Sequence, residues 1–307
     1  MAVNLQGRTA IITGAGAGLG REYALQFAKL GAKVVVNDLG VSLNGAGENA
    51  SAADAVVEEI RAAGGEAVAN RDNVADPAVA QRIVQSAIDA FGRLDILVNN
   101  AGILRDSSFP KMTDQNFTDV LNVHLFGAYY LTHAAWPHMV GQKYGRVVFT
   151  TSPAGTNGNF GQTNYGAAKL GLVGMMNCLA LEGRKHDVLV NAISPSALTR
   201  MTEGAPLGEL AQWLRPDLVS PAVAWLSSEA CQVTAHIISA GGGFFAQHRF
   251  FETPGVQFDP QDAVTVDMFD EAFARIVDIE GAKPVKPGPL GDLIPRLVAM
   301  GRLTAEA

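Results

Sequence analysis

The sequence is poor in the residues on which several protein classes depend. Of its 307 residues only two are cysteines, Cys178 and Cys231, and they form no CxxC pair. We therefore expect no disulfide framework, and a reducing compartment is favoured. Basic residues are also scarce: 23 Lys and Arg against 30 Asp and Glu give a formal charge of −7. A chain without a basic field is not expected to bind nucleic acid.

Long hydrophobic runs are missing as well. Glycine or charge interrupts every apolar stretch well before the length of a membrane span, so we expect no membrane insertion. Residues 1–6 are too short and too polar for a signal peptide. Residues 304–307 carry no peroxisomal Ser-Lys-Leu address. These absences together predict a cytoplasmic protein.

What is present is a regular alternation of two patterns, in a chain that is 48% hydrophobic. Short β-branched runs alternate with longer helical stretches, which indicates an α/β fold with a parallel sheet covered by helices on both faces. We expect a doubly wound, Rossmann-type sheet of about seven strands. The predicted strands are 8–13, 33–38, 66–70, 94–99, 146–151, 188–194 and 237–240; the predicted helices are 18–30, 53–63, 77–91, 116–140, 164–182 and 216–228.

The composition divides the chain into a long first part and a short C-terminal part. Residues 1–245 show no break in composition and are expected to form one nucleotide-binding domain that includes the catalytic site. Residues 246–307 are additional to such a domain and carry an amphipathic helical pattern at 266–279. We expect this C-terminal helical extension to pack on the domain or on a partner subunit in a homodimer, with a tetramer as the alternative. The cluster of Phe244, Phe245, Phe250 and Phe251 indicates core or subunit interface.

The first strand is followed by the motif Thr-Gly-Ala-Gly-Ala-Gly-Leu-Gly, residues 13–20. A glycine at position 14 permits a tight turn, one at 18 lets the backbone approach a pyrophosphate, and one at 20 allows close packing of helix on strand. The helix start offers free N–H groups and a favourable dipole for the anion. The motif predicts a dinucleotide site that includes Gly14, Gly18, Leu19 and Gly20.

The end of the second strand carries Asp38, eighteen residues after Gly20. A carboxylate there accepts hydrogen bonds from the ribose hydroxyls of NAD and repels the 2′-phosphate of NADP. An exposed strand end or a cap on the following loop is the alternative role of this carboxylate. We expect NAD as the cofactor.

Tyr165 and Lys169 lie four residues apart in a predicted helix and so share one face. An ammonium about 4 Å from the phenol oxygen, at an effective dielectric of about 20, would lower the pKa of Tyr165 by roughly three units. Ser152, thirteen residues earlier at a strand end, could hydrogen-bond a substrate oxygen. The three residues predict proton transfer by a tyrosine near neutral pH.

These motifs resemble the short-chain dehydrogenase/reductase family. The carriers are the glycine motif, Asn-Asn-Ala-Gly at 99–102, Ser152, Tyr-Gly-Ala-Ala-Lys at 165–169 and Asn-Ala-Ile-Ser-Pro at 191–195. The resemblance implies hydride transfer at a nicotinamide, with Lys169 also on the nicotinamide ribose. By the same resemblance the remaining cofactor contacts are Asp72, Asn73, Val74, Asn100, Ala101, Gly102, Pro195 and Thr199.

Two residues depart from the usual family pattern. His124 stands where an asparagine of the catalytic set is common, and it serves either a proton relay or packing. Ser196 replaces the glycine that usually follows Pro195. Together with Val-Val-Asn-Asp-Leu-Gly at 35–40 and Gly-Asn-Phe-Gly-Gln at 158–162, these features resemble the (3R)-hydroxyacyl-CoA dehydrogenase unit of peroxisomal multifunctional enzymes type 2, in a stand-alone bacterial form.

The resemblance implies oxidation of an acyl-CoA or sterol-CoA thioester carrying a (3R)-hydroxyl group. A hydroxysteroid or other secondary-alcohol dehydrogenase is the enzyme alternative, and an NAD-binding scaffold or sensor is the non-enzyme alternative. His133 and His138 are five residues apart, a spacing that predicts no metal site. The cations considered for the CoA phosphates are Arg105, Lys143, Arg200 and Arg249.

Overall fold

An eight-stranded sheet organises the first of two structural units, which comprises Met1–Gln247. The computed structural model describes residues 3–40, 52–199, 208–285 and 293–302. The strands of the sheet are β1 (Thr9–Thr13), β2 (Lys33–Asn37), β3 (Glu66–Asn70), β4 (Ile96–Asn99), β5 (Gly145–Thr150), β6 (Val188–Pro195), β7 (Ile237–Gly241) and β8 (Phe244–His248). The helices are α1 (Gly18–Lys29), α2 (Ala52–Ala62), α3 (Ala80–Phe91), α4 (Asp114–Leu121), α5 (Gly127–Gln142), α6 (Pro153–Thr156), α7 (Thr163–Gly183) and α8 (Ser220–Leu226).

The strands lie in the order β3-β2-β1-β4-β5-β6-β7-β8, and the first seven pair in parallel. Strand β1 pairs with both β2 and β4, so the direction of winding reverses between β1 and β4. In such sheets the crevice at the carboxyl ends of the strands beside this reversal binds ligands. The expected doubly wound fold is confirmed.

The sheet has a hydrophobic core on each face, because successive side chains of a strand point to opposite sides. In β1, Ala10 and Ile12 belong to the core under α1, α2 and α8, whereas Ile11 belongs to the core under α3, α5 and α7. In β2, Val34 and Val36 face the first core, and Val35 faces the second. Burial on both faces explains why these strands read as continuous apolar runs.

The sheet has one strand more than the seven expected. Only Gly242 and Gly243 connect β7 to β8, and a two-residue connection requires an antiparallel return. The phenylalanines at 244, 245, 250 and 251 are exposed, so of the two places expected for this cluster the core is wrong, and a subunit interface stays a prediction. Phe244 and Phe245 lie on β8, the last strand at one edge of the sheet.

The predicted helix 116–140 is interrupted. A π-helical segment, Asn122–Phe126, separates α4 from α5 and contains the buried His124. Such π segments often occur at functional sites, because the extra residue redirects side chains within a helix. The sequence also predicts a loop rich in Gly, Asn and Ser at 40–51, of which residues 41–51 lie outside the described residues. No described helix is long and apolar enough to cross a membrane.

The second unit, His248–Ala307, contains α9 (Val266–Ile276), α10 (Leu293–Ala299) and an antiparallel pair formed by β9 (Phe251–Glu252) and β10 (Lys283–Pro284). The helix expected at 266–279 is confirmed, although it ends three residues earlier. The Thr265 hydroxyl caps its start by accepting a hydrogen bond from the Met268 amide. One face of α9 exposes three apolar side chains, those of Val266, Phe269 and Phe273, and the exposed Val277 follows the last residue of the helix.

Candidate active site

A cleft of about 1180 Å³ opens at the carboxyl ends of the sheet strands. It runs from the turn after β1, past β4 and β5, to the segment that follows β6. Of the predicted cofactor and catalytic residues, all except Gly20 line this cleft: Gly14, Gly18, Leu19, Asp38, Asp72, Asn73, Val74, Asn100, Ala101, Gly102, His124, Ser152, Tyr165, Lys169, Pro195 and Thr199. The fold therefore joins segments that are up to 185 residues apart, from Gly14 to Thr199, in one site.

The turn after β1 requires glycine at several positions. Gly14 has φ of 63°, and a Cβ there would lie 2.8 Å from the Ala101 Cα. A Cβ on Gly20 would lie only 2.2 Å from the Gly14 carbonyl oxygen, so Gly20 lets α1 pack against the turn. The N-cap of α1, Ala17, provides no side-chain acceptor, and the first amides of the helix remain available to an anion in the cleft.

Thr13 and Asn100 hold the turn against β4. The Thr13 hydroxyl accepts hydrogen bonds from the backbone amides of Asn100 and Ala101, both at 2.9 Å. The Asn100 side chain donates to the Thr13 carbonyl at 2.9 Å. Sequence reasoning did not assign Thr13, although a threonine directly before a glycine motif at a strand end indicates such a clamp.

Asp38 lies at the end of the cleft beside the turn after β1, and both of its carboxylate oxygens accept hydrogen bonds. One oxygen accepts from the Gly16 amide at 2.8 Å and the other from the Gly40 amide at 2.7 Å. Asp38 thus caps the following loop and also faces the cleft, which combines the two roles considered for it. Gly16 was not predicted as a site residue, yet a Cβ there would lie 2.8 Å from the Asp38 Cγ.

Asp72 follows β3 and is held by a cation. Arg82 donates to it at 2.5 Å, and this ion pair lowers the pKa of the Asp72 carboxyl. The Asn70 side chain also donates to Asp72, at 3.1 Å. Asp72 is therefore a fixed, charged acceptor on the wall of the cleft.

Tyr165 and Ser152 meet at the other end of the cleft. Ser152 is the N-cap of α6, where its Oγ accepts from the Ala154 amide at 3.1 Å. Burial raises the pKa of Tyr165 to about 12, although a hydrogen bond with Ser152 acts in the opposite direction. The nearby Asp106 carboxylate raises this pKa further.

Lys169 lies one turn after Tyr165 and is buried. Its ammonium donates to the Thr150 carbonyl at 2.5 Å and lies 5.3 Å from the centre of the Tyr165 ring. Burial lowers the pKa of Lys169 to about 7. Contrary to the expected lowering by Lys169, the pKa of Tyr165 is raised in this arrangement, because loss of hydration is the largest influence on it.

His124 is buried against both the loop after β4 and Tyr165. Its Nε2 lies 3.1 Å from the Ile103 amide nitrogen and 2.8 Å from the Ile103 carbonyl oxygen. Its ring meets the Tyr165 ring edge-on, with the centres 5.1 Å apart. Burial and then the charge of Lys169 lower the pKa of His124, which keeps the imidazole neutral. Its Nδ1 has no hydrogen-bond partner within the described chain.

The cations considered for CoA differ in position. Arg105 lines the cleft, and its guanidinium donates to the Leu104 carbonyl at 3.0 Å. Lys143 precedes β5, so it lies at the amino end of that strand, opposite the cleft edge. Arg249 is exposed in the second unit. Arg200 lies outside the described residues.

Comparison with known proteins shows which family the chain belongs to. Residues 8–207 match the profile of the short chain dehydrogenase family. A short-chain type dehydrogenase/reductase of Mycobacterium tuberculosis is 50% identical over 281 residues, which cover 91% of this chain and 97% of the relative. The structure of full-length peroxisomal multifunctional enzyme type 2 from Drosophila melanogaster has a TM-score of 0.81 and 39% identity, covering 97% of this chain and 50% of that one.

Another similar structure contains a cofactor. It is 7α-hydroxysteroid dehydrogenase complexed with NADH and 7-oxo glycochenodeoxycholic acid, with a TM-score of 0.71, 32% identity, and coverage of 78% of this chain and 95% of that one. The chain belongs to the short chain dehydrogenase family. It is a nicotinamide dinucleotide-dependent oxidoreductase that acts on a CH–OH group.

Proposed function

We propose that the protein is an NAD-dependent dehydrogenase of (3R)-3-hydroxyacyl-CoA thioesters, with fatty or sterol side chains, and that Tyr165 is its general base. The observation that carries the chemistry is the meeting of Ser152, Tyr165 and Lys169 at one end of a cleft whose other end holds Asp38. The thioester class is supported by the similarity to peroxisomal multifunctional enzyme type 2 and by the shared motifs at 35–40 and 158–162.

The residues present fit NAD. Gly14 lets the turn after β1 pack against Ala101, Gly18 adds no side chain to the lining of the cleft, and the start of α1 is favourable for an anion. Asp38 provides a carboxylate for the adenosine ribose and would repel a 2′-phosphate. Asp72, Asn73, Val74, Asn100, Ala101, Gly102, Pro195 and Thr199 would complete the contacts with adenine, ribose and nicotinamide.

The chain contributes proton transfer and orientation. Bound NAD would accept a hydride from the carbinol carbon and would add positive charge to the site. The hydroxyl proton of the substrate passes to the Tyr165 oxygen as the carbonyl forms, while the Ser152 hydroxyl orients the same substrate oxygen. Lys169 binds the nicotinamide ribose and, when charged, stabilises the phenolate.

We propose that His124 takes part in moving the proton away from Lys169 by holding a water molecule, a role that an asparagine could also fill. A cavity of about 10 Å³ lies between His124 and Lys169 and is also lined by Asn99. That volume is about the minimum that holds one water molecule. Two buried polar atoms without a partner in the described chain, His124 Nδ1 and Asn99 Oδ1, belong to side chains that line it. A water molecule there would connect both to the buried lysine.

A turnover panel tests the substrate class. We expect a (3R)-hydroxyacyl-CoA to be oxidised far better than its free acid, because contacts with the remote CoA portion orient the reacting carbon. We also expect preference over the (3S) epimer, and for NAD over NADP. Equal turnover of free hydroxysteroids and CoA thioesters would instead establish the steroid alternative, which the similarity to 7α-hydroxysteroid dehydrogenase favours.

The same panel separates an enzyme from a binding module. An NAD-binding scaffold or sensor would bind NADH and turn over none of the alcohols, whereas NADH formation with any of them identifies a dehydrogenase. A preference for the (3S) epimer would preserve the CoA assignment and contradict the stereochemistry.

We also propose that residues 246–307 form an extension that serves assembly, in a homodimer. The exposed apolar face of α9, with Phe269 and Phe273 at its centre, supports this role, since such a face favours burial against protein. Removing residues 246–307 should yield insoluble or monomeric protein in size-exclusion chromatography. A soluble dimer of unchanged thermal stability would exclude the role.

A further inference from the structure

The loop after β4 and the start of α7 are joined by three hydrogen bonds in antiparallel order. Both segments line the end of the cleft that contains Tyr165, so these hydrogen bonds join two parts of its wall. The bonds are Asn164 Nδ2 to Arg105 O at 3.1 Å, Gln162 Nε2 to Asp106 Oδ2 at 2.8 Å, and Ser107 N to Gly161 O at 2.8 Å.

Asn164 differs from the other residues that form these hydrogen bonds because it is completely buried, with 0% of its surface exposed. Its amide also donates to the Asn116 carbonyl of α4 at 3.2 Å, and its Oδ1 accepts from the Tyr165 amide at 2.8 Å. A single side chain therefore connects the loop after β4, helix α4 and the backbone of Tyr165. An amide is required, since a carboxylate could not donate to two carbonyls and an apolar group would leave both unpaired.

We propose that Asn164 is a positioning residue for Tyr165: it fixes the start of α7 so that the phenol stays in hydrogen-bond contact with Ser152. The inference rests on the proposed role of Tyr165 in proton transfer. Displacement of a reacting group by about 1 Å can reduce a rate roughly a hundredfold, so an anchor one residue away affects the chemical step. Lys169 lies a full turn further along α7, where Thr150 and the sheet hold it independently.

The test compares Asn164→Ala with Asn191→Ala, a matched control. Asn191 is equally buried, in β6, and its amide likewise bridges backbone groups, those of Val233 and His236. Both variants should lose thermal stability. At a temperature where both are folded, Asn164→Ala should lose at least tenfold in kcat with NADH affinity within twofold of wild type, whereas Asn191→Ala should retain kcat within twofold.

A second variant separates positioning from simple stabilisation of the helix start. Asn164→Ser keeps an acceptor for the Tyr165 amide but cannot reach the carbonyls of Arg105 and Asn116. We expect it to regain stability and to keep the low kcat. Its pH profile of kcat/KM should shift to higher pH, because a weaker Ser152 contact leaves the pKa of Tyr165 higher. If Asn164→Ala is insoluble, the kcat and the pH profile of Asn164→Ser are sufficient to test the inference.

Full kcat and an unchanged pH profile in folded Asn164→Ser would overturn the inference. Tyr165→Phe, measured beside it, keeps the two assignments apart. An inactive Tyr165→Phe with a fully active Asn164→Ser contradicts only the positioning role. An active Tyr165→Phe contradicts the proposed catalytic role itself.

Discussion

The two ends of the cleft are built in different ways. The nucleotide end is mostly backbone, formed by the turn after β1, the start of α1 and glycines without side chains, and its carboxylates are Asp38 and Asp72. The catalytic end is mostly side chains, contributed by the π segment, the start of α6 and α7. Its titratable groups His124, Tyr165 and Lys169 all have pKa values shifted by burial.

The difference teaches where each function is sensitive. A backbone cradle binds an anion through amides that only proline would remove, so other substitutions disturb it mainly where a Cβ would clash. The catalytic end depends on poorly hydrated side chains whose protonation follows their surroundings. We therefore expect variants at the catalytic end to change kcat, and variants at the nucleotide end to change cofactor affinity.

The largest effect is expected for Tyr165→Phe, which removes a proton-transfer group and leaves the ring. Turnover should fall roughly 10²- to 10⁴-fold, the usual contribution of general acid–base catalysis. NADH affinity, measured by fluorescence titration, should stay near wild type. Turnover within a few-fold of wild type would remove Tyr165 from the mechanism. It would also contradict the expectation that variants at the catalytic end change kcat.

Lys169→Met tests a residue that is proposed to serve both ends of the cleft. This variant should lose activity about a hundredfold and should also bind NADH more weakly, because Lys169 serves both proton transfer and the ribose. Wild-type NADH affinity would assign Lys169 to catalysis alone.

The same variant has a predicted effect on stability. The pKa of Lys169 is about 7 in the folded protein, below its ordinary value, so the unfolded chain binds more protons between pH 7 and about 10. Burial of this lysine therefore destabilises the fold most at and below pH 7, and stability recovers as pH rises. Lys169→Met should raise the melting temperature at pH 7, and the gain should shrink toward pH 10. A melting temperature below wild type at pH 7 would contradict this.

Asp38→Ala should affect the nucleotide end. Loss of charge-assisted hydrogen bonds to the ribose costs about 1.5–3 kcal/mol each, or at least roughly tenfold in NAD affinity. The preference for NAD over NADP should also relax, since repulsion of the 2′-phosphate is lifted. Because Asp38 also holds Gly16 and Gly40, Asp38→Asn is the control that keeps one acceptor oxygen. An unchanged cofactor ratio in both variants would place specificity elsewhere.

The smallest effect is expected for His124→Asn, which introduces the residue commoner in the family. An asparagine can still bond the Ile103 backbone, so turnover should remain within a few-fold of wild type. A collapse in rate in a normally folded variant would show that the imidazole itself transfers protons. Circular dichroism and the melting temperature distinguish that outcome from misfolding.

Much of the fold and site was predictable because the signals are local. The glycine motif, Asp38, and the pair Tyr165 and Lys169 each lie within one turn or one helix, where spacing alone sets which groups face together. Alternation of apolar strands with helical stretches was sufficient to predict a doubly wound sheet. The strand boundaries agreed to within about two residues for the same reason: burial on both faces leaves a continuous apolar run.

Other features arise only when distant segments pack together. The π segment that buries His124 depends on the Ile103 backbone, and the buried Asn164 depends on carbonyls 48 and 59 residues away. Strand β8 follows from a glycine turn whose neighbours gave no strand signal. By itself, then, the sequence determined the glycine turn of the proposed cofactor site and the identity of the side chains proposed to react. Tertiary structure alone decided their pKa values and anchoring, because hydration and long-range hydrogen bonds exist only once the chain is folded.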